Sequence, residues 1–214
     1  VSKMPQAKED GEMAPLSDTF SILFQNANYR NGVFSQVLYV GAQIMCWTYI
    51  YLYAEAIGIS SENAANYQFI CFIIFLIGRA IGTYLLRYVN SGKLLFQFAV
   101  MAGVCVLGTV FIEGIIGLYS LVGISFFMSL MFPTIYGIAL EDLDEKESKI
   151  GAAGLVMAIV GGALMPKLQG MIIDLGGSGV NDTRIMGVSE VNFSFLLPLL
   201  CFLFIAYYGK IVEK

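Results

Sequence analysis

The chain of 214 residues contains no histidine, and only 13% of its residues are charged. Histidine is the commonest metal ligand and the commonest general base near neutral pH, so its absence argues against both kinds of site. A soluble domain usually has about a quarter of its residues charged. The shortage of charge therefore argues against an ordinary soluble domain, and a net charge of −4 does not favour a nucleic-acid partner.

Cysteine is also scarce, and its spacing carries no metal or redox motif. The four cysteines are Cys46, Cys71, Cys105 and Cys201, and no two of them form a CxxC pair. Each falls in a different apolar stretch, so we interpret them as small buried hydrophobic residues. The sequence therefore predicts neither a metal site nor a cofactor.

What the chain does have is six long apolar stretches. A bilayer core about 30 Å thick is crossed by about 20 residues of helix. The polar faces that a soluble helix shows at every turn are mostly missing here. We predict an all-α membrane protein with six transmembrane helices. The stretches, here called spans one to six, are Phe34–Tyr53, Tyr67–Tyr88, Leu94–Ile112, Ile115–Leu140, Ile150–Leu175 and Phe193–Val212.

Positive charge is distributed unevenly between the two sets of loops. Most lysines and arginines lie before span one, between spans two and three, between spans four and five, or after span six. The opposite loops contain only Arg184, while Arg79 and Lys167 fall within spans. The positive-inside rule then places both termini in the cytoplasm, as an even number of spans requires.

Residues 1–30 differ from the rest because they are polar and then amphipathic. The chain begins at Val1, and no basic segment leads into a short apolar core, so no signal peptide is expected and the chain resembles the middle of a longer protein. Ser17 and Asp18 could cap a short helix that begins near Phe20. We predict a cytoplasmic linker with an amphipathic surface helix over 1–30, an irregular linker being the alternative, and the transmembrane bundle over 31–214.

Polar side chains are concentrated in spans one and four. Tyr39, Gln43 and Trp47 follow one another at intervals of four residues, and Gln36 lies on nearly the same face. Buried amides and hydroxyls need partners or water, so these two spans are expected to line a cavity. Hydrogen bonds between packed helices are the alternative explanation.

An indole beside carboxamides suits a sugar, because the ring stacks on the sugar's CH face while the amides bond its hydroxyls. We therefore predict that Gln43 and Trp47 contact substrate. Four further residues are weaker substrate candidates, and three more are candidates for lining the transport pathway. The weaker substrate candidates are Gln36, Asn66, Tyr67 and Arg79. The pathway candidates are Tyr39, Ser129 and Tyr136.

Arg79 falls within span two, and an unpaired charge inside a membrane is costly. It could contact a substrate oxygen, pair with a carboxylate, or extend towards the inner interface. Spans two and five share small residues that allow close helix packing. Spans three and six have the fewest polar groups and can face lipid. This order of polarity occurs twice, which predicts two inverted three-helix repeats.

Several segments resemble the fucose–proton symporter family of the major facilitators. The similarity covers nearly the whole chain and is most specific in the Tyr-Val-Gly-Ala-Gln and Phe-Pro-Thr-Ile runs. The resembling segments are Leu23–Asn26 with Tyr29 and Arg30, Gln36–Gln43 with Trp47, Gly78–Thr83, Ser129–Tyr136, and Gly161–Ala163 with Gly170.

The resemblance implies the C-terminal six-helix half of a twelve-helix transporter, whose N-terminal half would be the partner. Its proton-coupling carboxylates are implied to lie in that other half, and here no Asp or Glu falls deep in a span. One departure is that Leu86 precedes Arg87 where the general facilitator pattern has an acidic residue, which puts a carboxylate lock at this turn in doubt.

The expected function is proton-coupled uptake of fucose or a related hexose, such as galactose or glucose, by alternating access in the inner membrane. A non-transporting membrane scaffold or assembly subunit is the alternative. A membrane-embedded enzyme is disfavoured, because the chain lacks histidine, paired intramembrane carboxylates and a metal motif.

Overall fold

The computed structural model describes residues 22–177 and 184–213. Within these ranges, six apolar helices are each long enough to cross a membrane, which confirms the six predicted spans and the all-α membrane fold. Their bounds are Ala27–Ala56, Ser61–Leu85, Ser91–Phe111, Ile115–Leu140, Glu145–Ile173 and Glu190–Ile211.

Four of the spans consist of two helices in line. Span one contains α1 (Ala27–Thr48) and α2 (Ile50–Ala56), span two is α3 (Ser61–Leu85), and span three is α4 (Ser91–Phe111). Span four contains α5 (Ile115–Met128) and α6 (Met131–Leu140). Span five contains α7 (Glu145–Met157) and α8 (Gly161–Ile173), joined by a 3₁₀ turn at Ala158–Val160, and a second 3₁₀ turn follows at Asp174–Gly176. Span six contains α9 (Glu190–Ser194) and α10 (Leu196–Ile211), preceded by an antiparallel hairpin of β1 (Arg184–Ile185) and β2 (Val188–Ser189).

Most spans begin at a polar residue that caps the helix. The side chains of Asn26, Ser60, Asn90 and Ser189 accept hydrogen bonds from backbone amides in the first turn. Asp144 begins a capping box at span five. These bonds satisfy N–H groups that have no partner within the helix. The caps explain why the helices begin several residues before most of the apolar stretches do.

Proline accounts for the break in span four. Pro133 has no N–H and cannot donate to the carbonyl of Ser129, so the helix is interrupted there and α6 begins at Met131. Span five carries Pro166 inside α8 and is interrupted at its 3₁₀ turn. Spans four and five therefore each contain a proline and consist of two shorter helices.

The packing of the spans repeats between the two halves of the chain. Span one packs against spans five and six, and span four packs against spans two and three. Spans one and four pack against each other, as do spans three and six. Exchanging one with four, two with five and three with six leaves this set of contacts unchanged. The same arrangement is expected from two inverted three-helix repeats.

Glycine makes the two equivalent contacts of this repeat possible. A Cβ atom on Gly161 of span five would collide with the backbone carbonyl of Val37 in span one. A Cβ on Gly78 of span two would lie 2.5 Å from the carbonyl oxygen of Phe126 in span four. The helix backbones can approach this closely only where no side chain intervenes.

Burial differs strongly between the spans. In spans one, four and six, 56% of the residues in the most apolar part of each span are buried. In spans two and five, only 22% of the corresponding residues are buried. Spans three and six pack together yet expose apolar residues on their outer faces, such as Val104 and Leu203. Spans two and five leave the largest apolar faces uncovered by the rest of the chain.

The two ends of the bundle are distinct. The end with the hairpin, here called the hairpin end, contains a hydrogen-bond network around Asn192. Its side-chain amide donates to the carbonyl of Thr109 (2.9 Å) and to the Tyr53 hydroxyl (3.4 Å), and that hydroxyl donates to the carbonyl of Ile112 (3.2 Å). The end near residues 27 and 213 is called the termini end. Most of the proposed linker, including the predicted cap at Ser17 and Asp18, lies outside the described residues.

Candidate functional site

The predicted stripe on span one lies between span five on one side and spans two and four on the other. Trp47 is its best anchored member. Its indole Nε1 donates to the Oγ of Ser125 in span four (3.2 Å). The rings of Phe72 and Phe75 in span two meet the indole edge to face, with centroids 5.0 and 5.3 Å away. The indole is half-buried, so one side is held and part of the ring stays open.

Gln43 lies one turn from Trp47 and is also half-buried. Its carboxamide has no hydrogen-bond partner among the described residues. A polar group of this kind is stabilised only by water or by a ligand. The position therefore offers both an acceptor and two donors beside an aromatic ring.

Gln68 of span two was not among the predicted site residues. It lies one helical turn from Phe72 on the edge of span two that faces Trp47, and its side chain is 8% exposed. Its Oε1 has no partner among the described residues. The signal available in the sequence was an amide in an apolar run four residues before Phe72.

Gln36 and Tyr39 continue the stripe towards the termini end, where it is closed. Gln36 is fully buried, and neither its Oε1 nor its Nε2 has a partner among the described residues. Tyr39 is 1% exposed and packs edge to face on Phe132, with ring centroids 6.1 Å apart. The stripe is thus open near Gln43 and Trp47 and enclosed at Gln36.

Arg79 projects from span two on the same edge as Phe75. Its guanidinium carbon lies 6.0 Å from the centroid of that ring, within range of a cation–π interaction. Arg79 is exposed and forms no ion pair with a described residue. The sequence left three roles open for Arg79: contact with substrate, pairing with a carboxylate, or extension to the inner interface. Within the described residues, the structure does not show the carboxylate pair.

The two remaining pathway candidates lie away from the open part of the stripe. Ser129 is fully buried where Gly78 of span two approaches span four, and its hydroxyl donates to the carbonyl of Phe126 in its own span (2.6 Å). Tyr136 is half-buried and packs on a small cluster that includes Leu23 and Tyr29 near the termini end.

Asn66 and Tyr67 are also separated from the stripe. Tyr67 faces Tyr119 of span four, with ring centroids 6.3 Å apart, whereas Trp47 contacts the opposite edge of span two. Asn66 and Tyr67 line a second cavity at the hairpin end. The predicted substrate candidates therefore form two groups rather than one.

The central group has the donors, acceptors and aromatic rings to hold a polar ligand. It combines an indole, two carboxamides, a guanidinium and two phenyl rings, contributed by spans one and two. This central group is defined as Gln43, Trp47, Gln68, Phe72, Phe75 and Arg79. None of its members is a carboxylate, and no group of three or more His, Cys, Asp or Glu able to hold a metal occurs among the described residues.

Comparison with known proteins gives the family. The family model described as Major Facilitator Superfamily matches residues 2–166. The chain belongs to the major facilitator superfamily. This facilitator chain is 51% identical over 210 residues to the L-fucose-proton symporter of Haemophilus influenzae, covering 98% of this chain and 47% of that protein. It is 31% identical over 217 residues to the glucose/galactose transporter of Brucella abortus, covering 100% of this chain and 49% of the relative.

Solved structures agree with this result. The crystal structure of the Escherichia coli fucose:proton symporter FucP superposes with a TM-score of 0.87 at 30% identity, covering 100% of this chain and 50% of FucP. A second FucP structure, in the outward conformation, gives a TM-score of 0.86. The facilitator chain spans about half the length of the relatives it matches. The resemblance to the fucose–proton symporter family is confirmed, and the six spans fit the C-terminal half of that fold.

Proposed function

We propose that the chain is the C-terminal half of a proton-coupled transporter that takes up fucose or a related hexose by alternating access. The observation that carries this proposal is the central group, in which unpartnered carboxamides lie beside a partly open indole. A hexose presents both hydroxyls and an apolar CH face, so it can satisfy the amides and stack on the ring together. The relatives are named as fucose and as glucose/galactose transporters, which supports the same class of substrate.

The N-terminal half is proposed to cover part of the exposed apolar faces of spans two and five. Sugar would then bind between the halves, and rocking of one half against the other would expose it to each side in turn. The central group contains no carboxylate, so the proton is proposed to be carried by groups of the other half. The site would need no cofactor or metal.

The orientation we propose has both termini in the cytoplasm and the protein in the inner membrane. Basic residues are frequent at the termini end, whereas Arg184 lies at the hairpin end and Lys167 in the half of span five nearer to that end. This asymmetry supports a cytoplasmic termini end under the positive-inside rule. The basic residues at the termini end are Arg30, Arg87, Lys93, Lys146, Lys149 and Lys210.

Uptake by the full-length protein in liposomes tests this function. An inward proton gradient should drive accumulation of radiolabelled L-fucose, D-galactose or D-glucose above the external concentration. A protonophore should abolish the accumulation but leave exchange of sugar across the membrane. Well-folded protein that neither binds nor exchanges any of the three hexoses would contradict the proposal and favour the scaffold alternative.

A further inference from the structure

The second cavity lies at the hairpin end, between spans two and four. Its volume is about 560 Å³, which lies within the usual range for small-molecule sites. The lining residues are Ile59, Asn63, Asn66, Tyr67, Ile70 and Tyr119. Asn63, Asn66, Tyr67 and Ile70 are spaced at i, i+3, i+4 and i+7 on α3, so one helix face supplies most of the wall.

This cavity is separate from the central group. The Trp47 ring contacts Phe72 and Phe75 on one edge of span two, whereas Tyr67 turns towards Tyr119 on the other edge. Between the two edges, span two packs on the rest of the bundle through buried residues such as Cys71. A ligand in one place therefore does not touch the residues of the other.

The lining chemistry selects a neutral ligand that is rich in hydroxyl groups. Two carboxamide side chains, those of Asn63 and Asn66, have no hydrogen-bond partner among the described residues. The rings of Tyr67 and Tyr119 are tilted by 54° to each other and supply two aromatic walls and two hydroxyls. No lining residue is charged, which disfavours phosphate, carboxylate and ammonium ligands.

We propose that this cavity is a second monosaccharide site, at the mouth of the transporter and independent of the central group. The inference rests on the proposed function, since it takes the transported hexose as ligand. Sugar bound here lies near the hairpin end, whereas the central group lies deeper along spans one and two. The site raises the local concentration of substrate beside the transport path.

Labelling from outside tests this site directly in the full-length protein. Asn66→Cys is reacted with a membrane-impermeant maleimide in phosphatidylcholine nanodiscs, with and without saturating hexose. Cys46, Cys71 and Cys201 are buried, and protein without the added cysteine gives the background rate. Ser61→Cys is the matched control, because Ser61 is exposed and lies on the opposite face of the same helix end. Hexose should slow the labelling at position 66 severalfold and leave that at position 61 unchanged.

The decisive comparison removes the central group. Protection of Asn66→Cys should persist in the Gln43→Ala/Trp47→Ala background and disappear when Tyr119→Ala is added. Protection that vanishes with the central substitutions, or that is absent from the start, would overturn the second site. A glycolipid in the nanodisc that blocks labelling when free hexose does not would show that the ligand is a lipid headgroup, which also overturns it.

Calorimetry on the same samples separates this inference from the proposed function. Central binding without protection at position 66 overturns the second site alone. Complete absence of hexose binding by folded wild-type protein overturns the proposed function as well.

Discussion

Span one has two sides that differ in how their polar groups are satisfied. On the side of span five, the Tyr29 hydroxyl donates to the carbonyl of Gly151 (3.0 Å) and the Tyr49 hydroxyl to the carbonyl of Pro166 (2.7 Å). On the side of spans two and four, neither the Gln43 carboxamide nor the Oε1 of Gln68 has a partner among the described residues. A polar group that bonds to a neighbouring helix holds the two helices together. A polar group without a partner at an open position is instead available to a ligand. The comparison supports a structural role for the first side and the proposed binding role for the second.

The largest effect is expected where span five meets span one without any side chain between them. Gly161→Val places a branched side chain against the Val37 carbonyl, so we expect a loss of stability of about 1–3 kcal/mol or more, up to failure to fold. Size-exclusion chromatography and thermal unfolding of the full-length protein measure this. Gly137→Ala is the control, because no atom of the described residues lies within 4 Å of a Cβ there. If the two variants were equally stable, the close contact between Gly161 and the Val37 carbonyl would be wrong.

On the other side, the largest effect is expected at the indole. Trp47→Ala removes the stacking surface, and we expect hexose affinity to fall by about 2–3 kcal/mol, roughly 30- to 150-fold. Trp47→Phe should keep part of the stacking and lose less. Calorimetry in detergent gives both values. Unchanged affinity in Trp47→Ala would remove the indole from the site.

A smaller loss of affinity is expected for the neighbouring amide. Gln43→Ala should leave a sugar hydroxyl unpaired and weaken binding by about 1–2 kcal/mol, roughly 5- to 30-fold. Gln97→Ala, an exposed amide on span three, is the matched control and should bind hexose like wild type. Weaker binding by the control than by Gln43→Ala would refute the assignment of the face.

The hydroxyl contacts with span five should affect stability alone. Tyr49→Phe deletes the bond to Pro166 and should reduce the free energy of unfolding by about 1 kcal/mol while hexose affinity stays the same. Tyr51→Phe serves as control, since that exposed hydroxyl has no partner among the described residues. A change of affinity in Tyr49→Phe would mean that the span-five side also binds.

The smallest effect is expected at the ion pair between Glu113 and Arg184 at the hairpin end. Both side chains are more than half exposed, and exposed pairs contribute about 0–1 kcal/mol. Arg184→Ala should therefore lower stability by less than about 1 kcal/mol, and high salt should remove the difference. A large salt-independent loss would point to a structural role of the hairpin that its exposure does not suggest.

Hydrophobicity alone predicted the six spans because lipid requires about 20 apolar residues per crossing. The polar stripe on span one was also predictable, since spacing places Gln43 and Trp47 on one face. The order of polarity suggested the inverted repeat, but its basis lies in contacts such as Gly161 on Val37, which link residues far apart in sequence.

Other features could not be predicted, because they depend on which edge of a helix meets which neighbour. Asn66 and Tyr67 were grouped with Trp47, yet the packing of span two directs them to a separate cavity. Gln68 was overlooked, and only the position of Phe72 against Trp47 shows that it belongs to the same edge. Similarly, Ser129 follows the spacing of a pathway residue but is buried beneath Gly78.

The most direct test of the two-sided account is the thermal unfolding of the full-length protein measured with and without hexose. A ligand that binds only the folded state raises the unfolding temperature, and at a given concentration a tighter ligand raises it more. Gln43→Ala should unfold at the wild-type temperature without sugar and lose most of the sugar-induced increase. Tyr49→Phe should unfold at a lower temperature without sugar and keep the full increase. The opposite pattern, with Gln43→Ala destabilised and Tyr49→Phe insensitive to sugar, would contradict the account.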